Sequence, residues 1–200
     1  MDAHKNPVSR FAEPVARTLS IAVGWGVLAF AFAMTAEILL RKMFAISFKG
    51  MDELGGFVLA ITAAAGASYS MAMRAHTRVD VFLVRFSQRW QRVLNTLALV
   101  ALAGFATFAA WRGWAVLDET IEFSSSAPNL GIALFWPQLL WVVSLVLFAG
   151  IASAYAAHAL ILLVTGKPGI NTNYGPLSVR DELEEELSAL KRRSAAEAGK

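Results

Sequence analysis

The sequence contains no cysteine, only three histidines and few charged residues, and each shortage excludes a class of protein. Without cysteine, the chain forms no disulfide, thiolate nucleophile or cysteine-ligated metal site. Charged residues make up 16% of the 200, whereas an average soluble domain has roughly 25%. None of them falls between Phe123 and Gly166, and this stretch is longer than the ~20 apolar residues that cross a hydrocarbon core of roughly 30 Å. The composition therefore predicts an integral membrane protein.

Long apolar runs predict an all-α fold with four transmembrane helices. The runs extend over Thr18 to Ala36, Leu54 to Met73, Val93 to Trp111 and roughly Phe135 to Val164. Pro137 suits the first turn of the last helix, where the backbone N–H has no helical partner in any case. We therefore divide the chain into an N-terminal segment at 1–17, a transmembrane domain at 18–165, and a linker with a charged helical tail at 166–200.

The distribution of basic residues predicts the orientation of these helices. Eight Lys and Arg residues lie in the N-terminal segment and in the connection between the second and third helices, against four in the other two connections. By the positive-inside rule, we expect both termini in the cytoplasm. The formal charge of +3 lies beside apolar runs. Because nucleic-acid binding would need a concentrated basic stripe, we do not expect it.

The connection between the second and third helices, Asp80 to Leu97, has two unlike sides at helical spacing. Its apolar side and its arginines include Phe82, Arg85, Phe86, Arg89 and Trp90. A helix divided in this way can lie flat in the membrane interface, with its apolar side among the headgroups and its arginines facing lipid phosphates. We predict such an amphipathic interfacial helix; a polar loop with chance periodicity is the alternative.

The predicted crossings contain few groups capable of chemistry. Ionisable residues inside a bilayer are costly and usually mark transport paths or proton relays. Glu37 is the only carboxylate in a crossing and precedes Arg41 by four residues, a spacing that allows an ion pair within one helix. No catalytic triad, metal-ligand spacing or phosphate loop appears, so we predict no enzymatic activity and no cofactor. The alternative is a haem-carrying anchor subunit of a redox complex, with His76 and His158 as ligands.

Small residues recur at every fourth position of the second helix. They are Gly56, Ala60, Ala64 and Ser68. Such a row lets another helix approach closely, and close packing is what holds membrane helices together. The row is expected to pack within this chain's own four helices or against a partner protein.

Two blocks of the sequence resemble the small membrane subunit, of the DctQ type, of tripartite ATP-independent periplasmic (TRAP) transporters. The first block is Asp52 to Leu83, and its matching positions are Glu53-Leu54, Arg74, His76 and Val79-Asp80. The second, Ser124 to Phe148, is similar to the family's loop and fourth helix, although Ala133 stands where the family often has proline. The likeness covers roughly Ser20 to Gly166.

The resemblance implies a non-catalytic scaffold in a bacterial inner membrane. In that family the small subunit lies beside a large membrane subunit that moves substrate and sodium, and a periplasmic binding protein delivers the substrate, usually an organic acid. We expect these two proteins and membrane lipid as partners. We also expect Glu53, Arg74, His76 and Asp80 to form a structural and interface set, with Asp80 able to cap the interfacial helix.

Overall fold

The computed structural model describes residues 7–73 and 85–166, together with Ile170, Leu187, Leu190 and Ser194. Its helices are α1 (Pro7–Phe44), α2 (Met51–Ala72), α3 (Gln88–Glu122) and α4 (Phe135–Val164). Each of the four is long and apolar enough to cross a membrane. Over the described residues, the predicted all-helical fold with four helices that could span a membrane is therefore confirmed.

The first helix is longer than its apolar run, because it begins at Pro7 rather than at Thr18. A proline is well tolerated in the first turn of a helix, where its missing N–H is not needed. The additional turns carry Val8, Ala12 and Ala16 at intervals of four residues, and these side chains pack into the hydrophobic core. Packing of this face explains why the helix starts ahead of the apolar run.

Helix α4 lies at the centre of the bundle, in contact with both α2 and α3, while α1 packs mainly on α2. The α3–α4 contact is built from small side chains, among them Ala103, Ala106, Ala152 and Ala156. Gly113 on α3 is part of this close approach, because a Cβ at that position would lie only 2.9 Å from Leu145. Small residues bring the two backbones together, which is the main source of helix association in a membrane.

A separate interfacial helix is not shown among the described residues. The first part of the predicted segment, including Phe82, lies outside them, and from Gln88 onward the chain is already α3. Over residues 88–97 the chain belongs to α3, and the sequence has no glycine or proline between Ser87 and Leu97 to end a helix there. Since Asn95 and Thr96 are also buried, these turns are the start of α3.

Helix α3 is longer than a membrane is thick. Its 35 residues extend about 52 Å at ~1.5 Å per residue, compared with roughly 30 Å of hydrocarbon. Trp90 and Trp111 are both well exposed, at 62% and 63%, and are about 32 Å apart along the helix axis. Tryptophan is enriched at the two membrane boundaries, so these side chains indicate the part of α3 that lies within the bilayer.

Candidate interface and the Glu53 contact

One end of the bundle, here named the loop end, contains the connection from α1 to α2 and the longer connection from α3 to α4. The longer one is folded on itself, because the N–H of Ala127 donates to the carbonyl of Ile132 at 2.9 Å and that of Leu134 donates to Ser125 at 3.1 Å. Gly131 supplies a positive φ of 66° at the turn between them. The connection is therefore a defined structure and not an extended link.

The carboxylate of Glu53 holds this connection to the start of α2. Its Oε1 accepts a hydrogen bond from Asn129 Nδ2 at 2.8 Å and another from the Asn129 backbone N–H at 3.1 Å. Its Oε2 accepts from the backbone N–H of Leu130 at 3.1 Å. Hydrogen bonds to an ionised acceptor are stronger than those between neutral groups. We refer to this set, Glu53, Asn129 and Leu130, as the Glu53 contact.

Gly50, which precedes α2, also lies against Leu130. Its φ is +93°, a left-handed conformation that residues with a Cβ rarely adopt. A Cβ at this position would also lie 2.5 Å from Leu130 Cγ. Both the backbone conformation and the space require glycine, so the start of α2 is shaped to accept the Leu130 side chain.

A second glutamate, Glu37, fixes the shorter connection at the same end. It is only 2% exposed, and its Oε2 lies 3.3 Å from Nη2 of Arg41. Its Oε1 accepts a hydrogen bond from Ser47 Oγ at 3.0 Å. The predicted ion pair within the helix is therefore present. The bond from Ser47 was not predicted, because nothing in the sequence indicated that the chain returns to Glu37 after α1 ends.

The row of small residues on α2 divides into an exposed and a buried half. Gly56 is exposed and Ala60 half-buried, whereas Ala64 and Ser68 are buried. Ser68 Oγ donates to the Ala64 carbonyl at 3.2 Å and approaches the Ser144 carbonyl of α4 at 3.5 Å. The half of the row that contains Ala64 and Ser68 thus lies in the bundle's own core, and the half that contains Gly56 faces outward.

The remaining predicted site residues fall into two groups. Arg74, His76, Asp80 and Phe82 lie outside the described residues. Arg85, Phe86, Arg89 and Trp90 are all exposed, the first two in the turn before α3 and the last two in its first turn. The structure brings none of these four described residues into the Glu53 contact.

Sequence reasoning identified Glu53 and missed its partners. Asn129 is 76 positions further along the chain, and no pattern in one sequence indicates which loop meets which helix end. The available signal was the run from Pro128 to Gly131, whose proline, asparagine and glycine predict a turn.

The haem alternative finds no support among the described residues. His158 is half-buried on α4, and His76, the other proposed ligand, lies outside the described part. Within that part, no group of three His, Asp or Glu residues could hold a metal ion.

Comparison with protein families decides the assignment. The family described as "Tripartite ATP-independent periplasmic transporters, DctQ component" matches residues 30–162, which is more than half of the chain. The chain belongs to the DctQ family. No curated protein matches it. The matched region of this DctQ protein extends from the middle of α1 almost to the end of α4 and includes the Glu53 contact. The protein is thus a small membrane subunit of a TRAP transporter, and it is multi-pass.

Proposed function

We propose that this DctQ protein is a non-catalytic scaffold for the large membrane subunit of a sodium-coupled importer of organic acids. It lies in a bacterial inner membrane with both termini in the cytoplasm, and a periplasmic binding protein delivers the substrate to the assembled transporter. The positive-inside count supports this orientation. The membership of the chain in the family supports its place in such an assembly.

The absence of an ionic path through the described helices carries the proposal. Among the described residues, Glu37 is the only buried Asp, Glu, Lys or Arg, and its carboxylate already contacts Arg41 and Ser47. Transport paths in membranes are usually marked by ionisable groups that face a cavity. A bundle whose core consists mainly of alanines and other apolar side chains is suited to holding a shape, so transport is assigned to the partner subunit.

The test of this proposal separates assembly from transport. We expect the chain to co-purify with the large membrane subunit in mild detergent, and we expect its deletion to abolish substrate uptake by cells. Vesicles that contain this chain alone should not accumulate an organic acid when a sodium gradient is imposed. Unchanged uptake after deletion, or uptake by the chain alone, would contradict the scaffold role.

An exposed face of α2 that includes Gly56 of the small-residue row is our proposed surface for the large subunit. Gly56, Leu59, Ala63 and Gly66 lie on one face of α2 and are exposed, Leu59 at 71%, and no described atom lies within 4 Å of a Cβ built on either glycine. On such a face, Leu59 can pack against a partner helix that approaches closely over the small residues on either side of it. The exposed residues of α1 include larger aromatic side chains, Trp25 and Phe32, beside its open glycines, and these aromatics suit contact with lipid.

Substitution of these glycines tests the surface. Gly56→Leu and Gly66→Leu should reduce the amount of large subunit that co-purifies, because a large side chain would keep the partner helix at a distance. Gly104→Leu on α3 is the matched control, since the space around Gly104 is equally open. If the control reduces the yield as much as the two α2 variants do, the surface has been placed on the wrong helix.

A further inference from the structure

The last turn of α1 and the connection that follows it expose four large apolar side chains. Residues 42–49 are named the apolar connection here. The exposed apolar side chains are Met43 at 72%, Phe44 at 63%, Ile46 at 52% and Phe48 at 54%. A lysine stands at each end, Lys42 and Lys49, and both are exposed. Four such side chains within six residues form an apolar surface that water alone would not favour.

The apolar connection is held in place by the buried Glu37. The chain reverses at Ala45, whose φ of +55° is unusual for a residue with a Cβ. Two residues later, Ser47 Oγ donates its hydrogen bond to Glu37 at 3.0 Å. Ile46 and Phe48, on either side of Ser47, remain exposed. Their exposure is therefore part of a fixed arrangement in which the polar residue turns inward and its apolar neighbours turn outward.

The lengths of the helices place the apolar connection at the membrane boundary. Helix α2 starts at Met51 and has 22 residues, which extend about 33 Å and so only just cross a hydrocarbon core of roughly 30 Å. On the other side, the uncharged run of α1 ends at Ala36, and Arg41 and Lys42 occupy its last turn. Both ends of the connection therefore lie near the level of the lipid headgroups.

We propose that the apolar connection inserts into the bilayer interface and binds anionic phospholipid headgroups through Lys42 and Lys49. Aromatic and aliphatic side chains with flanking lysines are the composition that seats a segment at the boundary between headgroups and acyl chains. Lysine can keep its ammonium group among the phosphates while its methylene groups cover apolar surface. A protein partner is less well matched, because lysine is depleted in protein–protein interfaces. The proposed lipid-binding site thus lies between α1 and α2, and it is separate from the turn before α3 that contains Arg85.

The depth of the segment can be measured directly, because the native chain has no cysteine. Spin labels at Ile46→Cys and Phe48→Cys would be studied in the complete transporter, in vesicles of phosphatidylcholine with phosphatidylglycerol. Ser126→Cys, on the exposed α3–α4 connection, is the reference for water, and Phe108→Cys, exposed on α3, is the reference for lipid. Relative to Ser126→Cys, we expect the ratio of oxygen to water-soluble nickel-chelate collisions to rise at both positions, on the order of twofold or more.

The charges are tested by removing the two lysines together. Without phosphatidylglycerol, the labels should become shallower, and Lys42→Gln/Lys49→Gln should remove this dependence on lipid charge. Arg112→Gln is the control, because this arginine is also near the loop end but lies over the ring of Trp111. Labels that are accessible to nickel, as at Ser126→Cys, would overturn insertion. Labels that collide with neither oxygen nor the nickel chelate would show that a protein, and not lipid, covers the segment. A depth that is independent of lipid charge would overturn headgroup binding by the lysines.

Discussion

The α3–α4 pair and helix α1 differ in what holds them. In the pair, alanines on both helices are buried and Gly113 lies against Leu145. In α1, none of residues 17–36 is buried, and the nearest buried residues are Ala16 before this stretch and Glu37 after it. The comparison teaches that the pair is stabilised by contacts within the chain. The middle of α1 depends on contact with α2 along one face and on lipid or a partner around the rest.

The largest effect is expected where the pair is closest. Gly113→Val should lower the yield of folded protein and destabilise it by about 1–3 kcal/mol, because the new side chain would overlap Leu145. Gly104→Val on the same helix is the control, since it introduces the same residue into open space. Thermal unfolding in detergent, followed by size-exclusion chromatography, measures both. Equal stability of the two variants would show that the α3–α4 contact is looser than described.

The next effect concerns the Glu53 contact, which joins the start of α2 to the α3–α4 connection at the loop end. Glu53→Ala removes the acceptor for the Asn129 and Leu130 donors, so we expect a loss of about 1–2 kcal/mol and faster hydrogen exchange at the Leu130 amide. Asp52→Ala, which removes an exposed carboxylate from the same turn, should change neither measurement. If Glu53→Ala leaves exchange at Leu130 unaltered, the contact contributes nothing to holding the connection.

A smaller effect is expected at the end of α1. Arg41→Gln leaves the buried Glu37 with Ser47 as its described partner, and because Arg41 is 57% exposed the cost should be about 1 kcal/mol. Adding Glu37→Gln to the same chain should recover part of this loss, since the unpaired buried charge is then gone. Thermal unfolding of the single and double variants gives the comparison. A double variant less stable than Arg41→Gln would contradict the inferred pairing.

The smallest effect is predicted for the exposed middle of α1. Trp25 is 68% exposed, so Trp25→Ala should change the stability of the isolated chain in detergent by no more than about 0.5 kcal/mol. Gly113→Val, at the close approach of α3 and α4, should cost about 1–3 kcal/mol under the same conditions. Similar losses for the two variants would remove the distinction between α1 and the core.

The number and approximate position of the crossings could be predicted from the sequence, because an uncharged apolar run of about 20 residues is long enough to cross the hydrocarbon core of a membrane. The start of α1 could not, since Val8, Ala12 and Ala16 give too weak a pattern beside charged neighbours. Residues 88–97 belong to α3, although their amphipathic spacing predicts a helix of its own, because such spacing indicates a helix but not where it joins the next one. The burial of Asn95 and Thr96, which accompanies this continuity, is a tertiary property.

Only part of the candidate site could be predicted from the sequence. Glu53 stood out by a family resemblance, in which an acidic residue precedes an apolar helix. Its partners Asn129 and Leu130 did not, because a hydrogen bond between residues so far apart in sequence is set by how α2 and α4 pack. The same holds for Ser47, whose bond to Glu37 depends on a chain reversal at Ala45 that no residue preference predicts.

The surplus length of α3 has a consequence for how anything dissolved would first meet this protein. Even at a tilt of about 40°, the upper end of the usual range, its 35 residues would still rise about 40 Å along the membrane normal. The last turns, in which Asp118, Glu119 and Glu122 are exposed, therefore extend beyond the phosphate layer as a short, negatively charged end of the helix. A soluble molecule that carries positive charge would be attracted to this end of α3 before it reached the lipid.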